Sequence, residues 1–341
     1  MVPCYPRALL FSSPTALRAF RRRLLTWFAS AKRDLAWRRT RDPYRIWLSE
    51  IMLQQTRVAA AEPFYERFLA RFPDAASLAA APEQEVLAHW AGLGYYSRAR
   101  NLHQAAKTMA GEFPCTFEKI RALPGVGDYT AAAVASIAFG LPHAVLDGNV
   151  ARVLARLALE TGDIGSKPAR DRLRGAANQL LDPAAPGDFN QAMMELGATV
   201  CLPRNPHCLV CPVTDWCQAR LTNRQAELPV KLKKQKQLAI HETLLIIEKD
   251  ESVLVWQRPP DSPRMAGFWE LPEQGQLPKA RLGPEVGVVR HTITFHNYTF
   301  RVHRAFLQKA PSGYEWISRA RLAELPVSTI LRKAIAMAFN N

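Results

Sequence analysis

The chain has no run approaching the roughly 18 apolar residues that a membrane-crossing helix demands, so no membrane span is expected. Acid is scarce: 30 Asp and Glu face 45 Lys and Arg, a formal charge of +15. A globular chain with that imbalance is expected to meet a polyanion, nucleic acid first among them, although a merely basic soluble protein has the same arithmetic. Residues 1–33 contain no acid at all, as a mitochondrial presequence would. Leu17, Phe20, Leu24, Leu25 and Phe28 recur there at helical spacing, however, and read as an ordinary core stripe. No plain secretory signal, internal repeat or low-complexity tract is visible. Cysteine is sparse too: there are six in 341 residues, and four of them fall between 201 and 217. Such clustering in an apparently intracellular chain points to a metal centre and not to disulfides.

Sustained period-two alternation is missing up to about residue 200. Apolar residues recur instead at helical spacing, from a helix over 16–31 and one opening at Asp42-Pro43-Tyr44, with Phe-Pro, Ala-Pro and Gly as punctuation. The pattern predicts an all-α domain over 1–217, closed by the cysteine cluster. Residues 218–238 are polar and basic and read as a linker. From 239 to 341 the texture changes. Strand-like runs at 243–247, 252–256, 286–289 and 298–307, then helices near 318–324 and 328–339, predict a separate α+β domain.

The densest signal is Cys201-x6-Cys208-x2-Cys211-x5-Cys217, broken by Pro203, Pro206 and Pro212. Zinc knuckles show two short chelates, whereas here only the middle pair is short. A [4Fe–4S] cube, which takes a thiolate at each of four corners, suits the spacing better. Leu123-Pro124-Gly125-Val126-Gly127 joins a short helix to an apolar one beginning near Tyr129. Pro124 cannot continue the first helix, and the glycines tolerate positive φ and leave N–H groups uncovered at a helix N-terminus. This reads as a helix–hairpin–helix grip on a DNA phosphate, or else as a plain tight turn.

Glu50 lies mid-helix among Ile46, Trp47 and Leu53. An acid in apolar company keeps its proton, the state a general acid needs; alternatively it is a surface glutamate with an arginine partner. Asp147 and Asn149 stand where a new helix begins, so either is an N-cap candidate. Asp147 could equally steady a sugar cation, and two carboxylates in unlike environments are what glycosidic cleavage asks for. Tyr129 is a packing aromatic or a partner of the reacting sugar. It is not a lysine, and so cannot form a Schiff base. Gln54-Gln55-Thr56 and the turn containing Tyr95, Tyr96 and Arg98 either fill the gap left by an extruded base or are a helix end and a glycine turn.

Taken together, Trp37-Arg38, Trp47 to Thr56, Gly92 to Arg98, Leu123 to Gly127, Leu146 to Val150 and the four-cysteine loop resemble, in order, the MutY family of adenine DNA glycosylases. The resemblance covers about residues 16–220. The segment after 240, with Gly267-Phe268-Trp269-Glu270-Leu271-Pro272, looks more loosely like that family's MutT-like (Nudix-like) domain. It implies a monofunctional enzyme that removes adenine mispaired with 8-oxoguanine or guanine in duplex DNA. Glu50 would be the acid that protonates adenine N7, and Asp147 the carboxylate that stabilises the oxocarbenium ion. Tyr129 and Asn149 would be their helpers. Gln54, Gln55, Thr56, Tyr95 or Tyr96, Arg98 and the hairpin would hold DNA, while Trp37 and Arg38 edge the base pocket. Where the family reads the lesion with a Phe-Ser-His turn, this chain has Ile293-Thr294-Phe295-His296. Thr294 offers a hydroxyl in place of the serine, followed by His296. The acidic REx2EE run of nucleotide hydrolases is absent, so recognition and not hydrolysis is expected of this domain. A monomer is expected, in the bacterial cytoplasm near the nucleoid, or mitochondrial or nuclear in a eukaryote. Rival readings are a related glycosylase of other base specificity, a non-catalytic lesion sensor, and a redox protein.

Overall fold

The computed structural model describes residues 11, 13–109, 111–232, 238–259, 261–262, 265–293 and 296–339. The chain divides into two compact units, Met1–Tyr65 with Thr108–Lys233, and Glu66–Lys107 with Lys234–Asn341.

The first unit is helical among its described residues. α1 (Pro14–Ala31) buries Phe20, Leu24 and Phe28, the i, i+4, i+8 series that the stripe predicted. α2 (Pro43–Leu53) starts on Asp42, whose side chain accepts from the Tyr44 and Arg45 amides, with Pro43 in the first turn. Ile46 through Met52 are all buried, so α2 is a core helix and not an amphipathic one. α3 (Val58–Arg71) runs across the boundary into the second unit. α7 (Phe117–Arg121) and α8 (Asp128–Phe139) flank the hairpin, in which Gly125 takes φ 74°. α8 is buried from Thr130 through Ile137, and ends on Gly140 in the left-handed region. α9 (Gly148–Leu157) starts on Asp147. α10 (Lys167–Leu180) and α11 (Pro186–Thr199) follow, then α12 (Gln218–Leu221) beyond the cysteine loop. At Gly197 of α11 an added Cβ would lie 2.7 Å from Asn149 Cβ and 3.0 Å from its carbonyl oxygen. Only glycine admits so close an approach of α11 to the start of α9.

The second unit joins α4 (Ala75–Ala80), α5 (Glu83–Trp90) and α6 (Ser97–Thr108) to a six-stranded mixed sheet. The strands are β1 (Leu238–Lys249), β2 (Ser252–Gln257), β3 (Trp269–Glu270), β4 (Arg281–Ile293), β5 (His296–Phe306) and β6 (Tyr314–Ser318). Their order is β3-β2-β1-β5-β4, with β6 also on β2; β1 and β5 are parallel and the other pairs antiparallel. Leu244 and Ile246 pack on one side with Phe300, Val302 and α14 (Thr329–Phe339), and Leu245 and Ile247 on the other with Leu254 and Ala305. Burial on both faces explains the unbroken apolar run in β1. α13 (Arg319–Glu324) follows β6 directly. The unit's portion from Leu238 to Phe339 is α+β, as expected of 239–341, while α4, α5 and α6 come from the stretch read as part of the all-α domain. β3 and β6 were not expected: the first is only two residues long, and the second, Tyr314-Glu315-Trp316-Ile317-Ser318, follows a Pro-Ser-Gly turn. The lesion-reading Thr294 and the linker lysines Lys233, Lys234 and Lys236 lie outside the described residues.

Candidate active site

In the first unit a cavity of about 220 Å³ is lined by residues from α2, α8, α9 and α11, and it holds Glu50, Tyr129, Asp147 and Asn149 together. Glu50 is 6% exposed. Burial raises its pKa to about 7, against the opposing effect of the Tyr129 hydroxyl; Asp147 pushes the same way as burial and Arg38 opposes it. The Tyr129 hydroxyl donates to Glu50 Oε2 at 2.8 Å and also lies 3.2 Å from Met194 Sδ. Burial, then the neighbouring carboxylates, hold that phenol well above its ordinary pKa, so it stays a donor. Asp147 is a cap and a cavity group at once. Its Oδ1 accepts from the Val150 amide at 2.7 Å, and its Oδ2 from the Asn149 side-chain amide at 3.3 Å. Burial raises its pKa, while these donors and Arg152 favour the carboxylate. The two acids therefore sit in unlike settings: Glu50 faces a phenol, and Asp147 faces two amide donors and the positive charge of Arg152.

The cavity wall contains groups that the sequence did not announce. Trp37 and Arg38, expected at its edge, line it, and Arg38 also reaches Glu195, a fully buried carboxylate on α11. Arg33 donates to Glu195 through its backbone N at 3.1 Å, Nε at 2.8 Å and Nη2 at 2.7 Å, and Arg38 Nη2 donates at 2.8 Å. Burial alone would raise Glu195; the two arginines bring it down to about 2. Its only sequence signal was an acid on the apolar helix Met193-Met194-Glu195-Leu196.

α9 leads from this cavity to the cysteine loop. Arg152 donates to Asn149 Oδ1 at 2.8 Å, Gly197 O at 2.7 Å and Cys201 O at 2.8 Å. Arg156, one turn on and 1% exposed, donates to Leu202 O, Leu228 O and Pro203 O, and its Nη1 lies 3.2 Å from Cys201 Sγ. Cys201, Cys208, Cys211 and Cys217 are all half-buried, none is in a disulfide, and they lie within reach of one another's charge. Burial pushes the Cys211 thiol up to about 12, a cost that bound iron removes by holding thiolates. Among the described residues no three His, Cys, Asp or Glu side chains gather tightly enough for a single metal ion. A four-iron cube has its ligands at separate corners, and the loop fits it.

The expected DNA-facing residues divide. Gln55 is exposed with φ 58° and Tyr95 is 44% exposed with φ 50°, a backbone setting that non-glycine residues adopt at a cost. Gln54 points inward, donating to Thr130 Oγ1 at 3.2 Å, and Thr56 lines the cavity. Gly125 and Gly127 are exposed, while Val126 is core. Gly127 is extended (φ −97°, ψ 179°), so only Gly125 uses the left-handed freedom expected of both. Tyr96 and Arg98 correct the expectation. Tyr96 is 6% exposed and its ring packs at a tilt against Phe268, and Arg98 donates to Leu93 O and Gly94 O with its guanidinium 5.4 Å from both the Trp90 and Tyr95 rings. Both are interior because the tight glycine turn leaves its own polar groups to be satisfied from within: Arg98 serves two carbonyls, and the Tyr96 hydroxyl accepts from the Gly92 amide. His296 opens β5, its ring 6.0 Å from Tyr298.

Residues 48–179 match the HhH-GPD superfamily of base excision DNA repair proteins, and residues 201–217 match the iron-sulfur binding domain of endonuclease III. The adenine DNA glycosylase of Mus musculus is 36% identical over 96% of this chain and 79% of its own length. That of Homo sapiens is 35% identical over 95% and 74%. Among solved structures, a thermostable thymine-DNA glycosylase is 30% identical, with a TM-score of 0.56, over 61% of this chain and 98% of its own. The loop carries a [4Fe–4S] cluster. Because the likeness to the two mammalian enzymes runs on through the C-terminal domain, the chain belongs to the adenine DNA glycosylase (MutY) family of base excision repair enzymes.

Proposed function

We propose that this protein hydrolyses the N-glycosidic bond of adenine mispaired with 8-oxoguanine or guanine in duplex DNA. One observation carries the reading: Glu50 and Asp147, far apart in the chain, line the same cavity. Adenine enters it by leaving the base stack, which costs least at a mismatch. Glu50, protonated up to about pH 7, gives its proton to adenine N7, with the Tyr129 hydroxyl fixing its orientation. The bond from C1′ to the base then breaks with the electron pair on adenine, and the cationic sugar is stabilised by the Asp147 carboxylate. Water adds at C1′ and its proton passes to a carboxylate, leaving an abasic site. With Tyr129 where an amine would be needed, no Schiff base forms and the strand stays intact. Cys201, Cys208, Cys211 and Cys217 would hold the cluster, which would supply the cross-link that fixes the loop, so that Arg204, His207 and, just beyond it in α12, Arg220 are presented to phosphate. The opposite base falls to Thr294 and His296.

Incubation with A:8-oxoG, A:G and T:G duplexes, each followed by alkali, tests this. Strand breaks only after alkali, and only in the adenine duplexes, are expected. Breaks without alkali, or release of thymine instead, would overturn the reading.

A further inference from the structure

We propose that Phe268 is a positioning residue for Tyr95, acting through Tyr96. This deepens the function proposed above and rests on its assignment of Tyr95 to DNA. Tyr95 sits between Gly92 (φ 108°) and Gly94 (φ 75°), itself at φ 50°, and projects outward. A turn so disfavoured keeps its shape only where its surroundings over-determine it. The Gly94 carbonyl accepts from Trp90 Nε1 at 3.1 Å and from Arg98 Nη2 at 3.0 Å. The Gly92 amide donates to the Tyr96 hydroxyl at 3.4 Å. Tyr96 thus closes the turn, and its own place is set from the α+β portion of the second unit. Its ring centroid lies 4.0 Å from that of Phe268, which is fully buried, and its hydroxyl also meets the Thr329 side chain. A second tie runs beside the first. Arg100 of α6 pairs with Glu83 at 3.0 Å and donates to the Ala266 carbonyl, two residues before Phe268. The sequence motif Gly267-Phe268-Trp269 therefore has a part in the turn that presents an aromatic ring, beyond filling a core.

The test is a double-mutant cycle in the full-length, cluster-bearing protein, reading the affinity for an A:8-oxoG duplex and, separately, the single-turnover rate at saturating enzyme. Tyr95→Ala is expected to weaken binding about tenfold, the scale of one lost base–aromatic stack. Phe268→Ala is expected to weaken it about as much, and the double variant about tenfold in total and not a hundredfold, because the two act as one unit. The rate at saturation moves less than the affinity, and Phe268→Leu, which refills the volume, recovers most of the loss. Tyr96→Phe keeps the ring packing and removes only the hydroxyl that the Gly92 amide meets; it serves if Phe268→Ala does not fold, with a loss that is likewise non-additive with Tyr95→Ala. Multiplicative losses, or unchanged affinity in Phe268→Ala and Tyr96→Phe, would overturn the proposal. An unaltered affinity in Tyr95→Ala would instead remove the DNA role that the proposal rests on.

Discussion

The Tyr129 hydroxyl donates a 2.8 Å hydrogen bond to Glu50 Oε2. That bond joins the helix after the hairpin to the core helix α2, and it sets the orientation of a carboxyl group whose pKa is carried to about 7.

A pH profile follows from it. Glu50 is an acid raised by burial, so it is protonated below about pH 7 and loses its proton above. Base release is expected to fall about tenfold per pH unit beyond that point. The tyrosine hydrogen bond favours the charged form, so Tyr129→Phe lets burial push Glu50 higher still. Single-turnover rates across pH should show the alkaline limb of this variant displaced upward. An unmoved limb would assign the titration to a different group.

Glu50→Gln keeps the size of the side chain and removes the transferable proton. Base release is expected to drop by about 10²–10⁴-fold, with duplex affinity close to wild type in a titration. Persistent release would end the acid assignment and favour a lesion sensor or another acid.

Asp147 permits a cleaner separation, because its two duties respond differently to one change. Asparagine caps helices about as well as aspartate, whereas alanine costs about 1 kcal/mol. Asp147→Asn should therefore melt near the wild-type temperature and lose activity, while Asp147→Ala should lose both. Equal activity in wild type and Asp147→Asn would show that no anion is needed at the sugar.

Glu195 links the cavity wall to acid stability. Its folded pKa of about 2 lies below the ordinary 4.5, so its contribution is present above about pH 4.5 and fades as the pH falls toward 2. At about 1.36 kcal/mol per unit, that contribution is about 3 kcal/mol. Glu195→Gln should flatten the pH dependence of the denaturation midpoint in this window, and should leave Arg33 and Arg38 unneutralised beside the base pocket. A slope identical to wild type would rule the carboxylate out.

Arg156→Met tests the tie between α9 and the cysteine loop. The three carbonyls it serves, of Leu202, Pro203 and Leu228, would each lose a donor, and the buried one, of Leu228, would cost about 1–3 kcal/mol if left unpaired. Melting temperature and bound iron per chain should both decrease. Wild-type values of both would show that the loop needs no such anchor.

Much of this was legible from residue order. The 3.6-residue periodicity of α1, the Asp42-Pro43 start of α2 and the Pro124-Gly125 turn are local signals, because each helix announces its own buried face and its own ends. The cysteine loop was legible for the same reason, its four ligands lying within one short segment. β3 escaped because a two-residue strand has no period to detect. Tyr96 and Arg98 misled because they stand close to Tyr95 in sequence, yet Tyr96 turns inward and Arg98 already belongs to the first turn of α6, so near neighbours point in different directions.

Sequence alone determined the local elements, the excess of positive charge, the iron–sulfur loop, and the absence of an amine at position 129. Tertiary structure decided which acids share a cavity. Glu195 meets Arg33 and Arg38 only because α11 lies against the start of the chain, and Asp147 meets Glu50 only because α2, α8 and α9 pack around one space. Such meetings depend on long-range packing, and a pKa depends on the burial and charge that packing creates, so neither is written in the order of residues nearby.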